Sequence, residues 1–126
     1  MDDLKRLFHE ANEEFLLGLS WSEDAAPAIA AGNVIVRRDM HGEPIGFIVW
    51  QVVGDVWIER LLYVVPRARG GISAYRLLRD WTNRATLAHI TKLHAGSSLG
   101  HTDRARRLYE SLGFKTHLRF ERNCHV

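Results

Sequence analysis

Residues 62–78 read LYVVPRARGGISAYRLL, and this stretch decides the fold. It opens on an apolar run closed by Pro66 and passes through Arg67, Arg69, Gly70 and Gly71. It leaves with helical spacing, because Ala74, Leu77, Leu78, Trp81 and Ala85 share one face. A strand therefore hands over to a helix through a glycine-rich loop. Glycine lets the backbone approach a ligand closely, and the first-turn N–H groups of a helix have no partners inside it. With the helix dipole and two arginines, such donors make a site for phosphate. A solvated glycine-rich turn is the other reading of the same residues. The loop lacks the Gly-Lys-Ser/Thr of a Walker motif and the GxGxxG dinucleotide fingerprint.

Upstream, residues 56–65, 45–53 and 33–38 read as strands separated by Gly54-Asp55 and by the turn His41-Gly42-Glu43-Pro44. Three strands with short turns form an antiparallel meander. Before them, Leu4, Leu7, Phe8, Ala11 and Phe15 make the apolar stripe of a first helix. Ser22 is placed to cap a second helix that runs through Ala31 and closes at Gly32. Downstream come a short strand over 89–95 and a helix from Thr102 with Ala105, Leu108, Tyr109 and Leu112 on one stripe. Gly113 ends that helix, and a last strand covers 114–122. The expected fold class is α/β, an α+β-type sandwich with a mixed sheet: two N-terminal helices, the meander, then helix–strand–helix–strand.

The chain has 126 residues, 46% apolar and 25% charged, which fits one soluble globular domain over 1–126. Cys124 is the single cysteine, so neither a disulfide framework nor a CxxC site is available. No apolar run nears the 18 or so residues of a membrane span, and the Met1-Asp2-Asp3 start is unlike a signal peptide. A cytoplasmic protein with no membrane partner is expected. The net charge of +2 hides a split: residues 1–59 hold 4 basic and 11 acidic side chains, and residues 60–126 hold 13 and 4. An anionic ligand on the second half and a cationic one facing the first fit this split, as does plain interleaving of the two halves in space. Nucleic acid is not expected, since no basic run or recognisable motif appears.

Leu62-Tyr63-Val64-Val65-Pro66, then Arg69-Gly70, then Leu77-Leu78 resembles motif A of the GNAT N-acetyltransferase superfamily. Ala105-Arg106-Arg107-Leu108-Tyr109-Glu110-Ser111-Leu112-Gly113-Phe114 is similar to that family's motif B element. The resemblance is sharp over residues 45–115. It implies an enzyme that moves an acetyl group from acetyl-coenzyme A to a primary amine of a small molecule or protein. It also implies that the amides of Arg69, Gly70, Gly71, Ile72, Ser73 and Ala74 hold the cofactor's pyrophosphate. Ile72 departs from the family's usual middle glycine, which is harmless only where φ is negative. The backbone of Leu62, Tyr63 and Val64 is expected to pair with the pantetheine arm. Thr102 stands where the family often has an asparagine touching that arm, or serves as the helix N-cap. Against the family, the chain looks trimmed: no strand precedes the first helices, and 12 residues after Phe114 suffice for one strand where two are frequent. Dimerisation is one way to cover the exposed edges.

Acyl transfer to an amine needs a base, because an ammonium of pKa about 10 has no lone pair. It also needs a proton for the departing thiolate. By the resemblance Tyr109 is the candidate acid, and Glu59 the candidate base, often acting through water. A core tyrosine and an exposed, paired sheet glutamate are their alternatives. Trp21, Trp50 and Trp57 are candidates for an acceptor pocket or for the core. The histidines show no metal-ligand spacing, and His101 lies just before the motif B helix. Gly96-Ser97-Ser98-Leu99-Gly100 matches a nucleophile elbow, with Asp103, His117 and His125 downstream as a serine hydrolase would order them. The chain is far too short for that fold. A GNAT-like module that binds acyl-coenzyme A or a partner without catalysis is the third reading.

Overall fold

The computed structural model describes residues 2–95, 103–116 and 120–123. Helix α1 (Asp2–Phe15) leads through a wide π-helical turn (Trp21–Ala25) into a short α2 (Ala26–Ala30). Strands β1 (Val34–Arg38), β2 (Pro44–Val53) and β3 (Val56–Val64) form the meander, followed by a 3-10 turn (Pro66–Ala68) and α3 (Ser73–Leu87). Then come β4 (Lys92–Ala95), α4 (Asp103–Ser111), β5 (Lys115–Thr116) and β6 (Phe120–Asn123). The sheet order is β1-β2-β3-β4-β6-β5, with β3 and β4 parallel and every other pair antiparallel. The expected mixed α/β sandwich is present.

Two apolar layers hold it. On one face Leu77, Leu78, Trp81 and Ala85 of α3 and Tyr109 of α4 bury against Ile48, Trp50, Trp57, Leu62 and Val64. On the other, Leu4, Leu7, Phe8 and Ala11 of α1 bury against Phe47, Val49, Leu61 and Tyr63. Gly46 permits the first packing: a Cβ there would lie 2.9 Å from the Tyr63 carbonyl oxygen and 3.1 Å from Leu77 Cδ1.

Strand β3 carries a bulge. Val49 pairs with Leu61 and Trp50 with Glu59, so Arg60 is the extra residue. Alternation alone would put Glu59 on the face of Leu61 and Tyr63. The bulge moves it to the α3–α4 face, with Trp57 before it and Leu62 and Val64 after it. Arg60 turns outward and pairs with Asp24 at 2.8 Å.

Two local expectations are corrected. Ser22 does not cap the second helix. The Asp24 carboxylate accepts from the Ser20 N–H at 2.7 Å and the Asp24 N–H donates to the Ser20 carbonyl, which ties the start of the π turn, and the Ala26 N–H closes that turn on the Trp21 carbonyl. The terminal segment is not one strand but two, because β5 folds back antiparallel on β6 and pairs Lys115 with Glu121. Among the described residues, no helix is long and apolar enough to cross a membrane.

Candidate active site

Strand β4 pairs with β3 only over Val56, Trp57 and Ile58, so β3 runs on beyond its parallel neighbour. A cavity of about 240 Å³ opens there. Its walls are Leu62, Tyr63 and Val64 of β3, residues 68–71 of the loop, Ala74 and Tyr75 of α3, Ala105 and Leu108 of α4, and Phe15 at the end of α1. Most of the sequence-derived cofactor residues are thus brought together. Phe15 is a wall that sequence reasoning missed. It closes the apolar stripe of α1, packs edge-on to Tyr63 of β3 and stays 39% exposed.

The loop has the backbone a phosphate needs. Gly70 takes the left-handed conformation at φ +87°. Ile72 sits at φ −102°, ordinary for any L-residue, so its departure from glycine leaves the backbone unstrained. Among the described residues, the N–H groups of residues 70–75 have no hydrogen-bond partner. One expectation fails: the Arg69 N–H closes the 3-10 turn on the Pro66 carbonyl at 3.2 Å and is not available to a ligand. The Val64 carbonyl, expected to meet a pantetheine amide, accepts from Arg69 Nε at 2.9 Å.

Tyr109 and Glu59 meet in the interior. The Tyr109 hydroxyl donates to Glu59 Oε1 at 3.3 Å, with the tyrosine wholly buried and the glutamate 5% exposed. Burial first, then the Glu59 charge and this hydrogen bond, raise the phenol well above its ordinary value of 10.0. Glu59 is therefore neither the exposed nor the Arg60-paired residue of its alternative reading. Trp50 and Trp57 stack at 5.0 Å in the core, and Trp21 packs edge-on to Phe8 at 5.5 Å, so none of the three lines the cavity. Thr102, His101, His117, His125 and the Gly96-Ser97-Ser98-Leu99-Gly100 stretch lie outside the described residues.

A family profile described as "Acetyltransferase (GNAT) domain" matches residues 30–116. The chain belongs to the GNAT acetyltransferase family. A search of curated proteins returns no match. Among solved structures, this GNAT chain is similar to a GNAT-family acetyltransferase from Staphylococcus aureus Mu50 at 13% identity. That match has a TM-score of 0.75 and covers 98% of this chain and 92% of the other. N-acetylglutamate synthase from Neisseria gonorrhoeae, complexed with coenzyme A and N-acetyl-glutamate, matches at 18% identity and TM-score 0.76. It covers all of this GNAT chain but 33% of the synthase. A phosphinothricin acetyltransferase from Sinorhizobium meliloti, in complex with acetyl-coenzyme A, matches at 22% identity and TM-score 0.71, over 92% and 71% of the two chains. At these identities the structures share the fold.

Proposed function

We propose that this protein transfers an acetyl group from acetyl-coenzyme A to a primary amine. The observation that carries the reading is the amide run of residues 70–75, without hydrogen-bond partners among the described residues, of which 70, 71, 74 and 75 line the cavity beside the part of β3 that β4 does not pair. A pyrophosphate needs that kind of donor array, and the helix dipole of α3 adds to it. The co-crystallised cofactors of the N. gonorrhoeae and S. meliloti proteins support the same assignment. When bound, acetyl-coenzyme A supplies an activated thioester acyl group.

The chain's own residues then manage protons. Glu59 accepts the proton that the ammonium must lose, directly or through water. Tyr109 donates to the departing sulfur, and its hydrogen bond to Glu59 returns a proton to the phenol. The raised phenol pKa keeps Tyr109 protonated at neutral pH. Once Glu59 is protonated, its charge no longer opposes phenol ionisation, so Tyr109 becomes the better acid at the moment a donor is needed.

A second reading, binding without catalysis, is favoured by one fact: Tyr109 has no solvent exposure. Calorimetry with acetyl-coenzyme A, followed by an acetyl-transfer assay over a panel of amines, separates the two. The enzyme reading expects binding and turnover, whereas binding with no turnover of any amine leaves the module. No binding at millimolar ligand removes the enzyme and the acyl-coenzyme A-binding module alike.

A further inference from the structure

The Arg69 guanidinium sits in a cage. Its Cζ lies 5.4 Å from the Phe15 ring centre and 5.5 Å from that of Tyr63, and those two rings meet edge to face at 6.1 Å. Arg69 Nη2 pairs with Glu14 Oε2 at 2.5 Å, while Glu14 Oε1 accepts from the Tyr63 hydroxyl at 3.0 Å. Glu10 is close enough for its charge, with that of Glu14, to help raise the Tyr63 phenol, after burial as the largest cause. Two aromatic faces and a positioned carboxylate are the elements that recognise an organic cation. The chain itself demonstrates the fit by filling the cage with a guanidinium.

Arg69 also opens the phosphate loop, next to Gly70 and the amide run, and it lines the same cavity. We propose that the Phe15–Tyr63–Glu14 cage is the subsite for a cationic group of the acceptor, and that Arg69 occupies it until coenzyme A binds. This rests on the acetyltransferase reading. A pyrophosphate beside residues 70–75 offers Arg69 a doubly charged partner in place of one partly exposed carboxylate. When Arg69 moves to it, Nε releases the Val64 carbonyl, and the cage is left with two aromatic faces and uncompensated negative charge. Cofactor binding therefore creates the acceptor site, and the acceptors are amines that carry a second positive group.

Calorimetry with agmatine, an amine bearing a guanidinium, tests this. In wild-type protein, saturating coenzyme A should tighten agmatine at least about tenfold, and agmatine should tighten coenzyme A by the same factor. Arg69→Gln should bind agmatine without coenzyme A as tightly as the loaded wild type, with the coupling gone. Glu14→Gln should lose agmatine in both states, and so should Phe15→Leu, which changes a partly exposed side chain and spares the core. If coenzyme A binds but agmatine affinity stays within about twofold, or if Arg69→Gln gains no agmatine binding, the cage proposal is overturned. If coenzyme A does not bind at all, the acetyltransferase reading fails, and the Arg69→Gln arm still decides the cage.

Discussion

The hydrogen bond between Tyr109 and Glu59 gives the smallest scale its predictions. Replacing Tyr109 with Phe removes the proton donor but not the ring that packs on Phe114. Its kcat should fall on the order of 100-fold, while coenzyme A affinity by calorimetry stays near wild type. Equal turnover of mutant and parent would take Tyr109 out of the mechanism. The phenols also set an alkaline limit. Tyr63 and Tyr109 are both raised above 10.0, so the folded state holds their protons more tightly than the unfolded chain. Their stability contribution is full below pH 10 and is lost as pH climbs from there toward the folded values. Thermal melts should drop above pH 10, and Tyr63→Phe should flatten that decline. Both titrating residues were legible in the sequence, Tyr109 from its motif and Tyr63 from its strand. Glu14 was visible only as one of several acids on a helix, because its partners Arg69 and Tyr63 lie 55 and 49 positions away.

Among the elements, Gly46 shows how strand and helix are fitted. Any side chain there meets the β3 backbone and Leu77 of α3. Gly46→Ala should cost about 1–3 kcal/mol through overpacking and lower the melting temperature by several degrees. An unchanged melting temperature would mean that α3 and β3 yield easily. Helices and meander were readable because Leu77, Leu78 and Trp81 on α3 and Leu4, Leu7 and Phe8 on α1 keep the helical period. The bulge at Arg60 was not readable, since Glu59-Arg60 breaks no local rule and shows itself only through pairing with Val49 and Trp50. The terminal hairpin was hidden for a related reason. Its strands are only two and four residues long, too short for a period to emerge.

For the whole molecule the charge split resolves into partial cancellation. Asp24–Arg60, Asp39–Arg67 and Glu14–Arg69 tie the acidic first half to the basic second half. Glu14 and Asp24 are therefore each paired with an arginine of the second half, and Glu10 lies near the cage. Amines in cationic contexts should show higher kcat/KM than matched acidic ones. The preference should shrink between 0.1 M and 1 M salt, as the screening length falls from about 10 Å to about 3 Å. A panel of acceptors indifferent to charge and salt would contradict this. Acetyl-coenzyme A at 100 times its Kd should add about 2.7 kcal/mol to stability by mass action, read as a higher melting temperature.

The tryptophan cluster has an optical consequence. Trp50, Trp57 and Trp81 are buried, their indole N–H groups have no hydrogen-bond partner among the described residues, and Trp50 stacks on Trp57 at 5.0 Å. Indoles screened from water emit at the blue end of their range, and a close pair couples its excited states into a split near-ultraviolet dichroism signal. Trp57 stands two residues from Glu59, so the chromophores adjoin the interior proton pair. The native protein therefore carries a label-free reporter of its own core. Unfolding should shift the emission red and erase the split signal together, and Trp57→Phe should weaken and reshape the split signal, leaving the coupling of Trp50 with Trp81 at 6.2 Å and the blue emission of those two indoles.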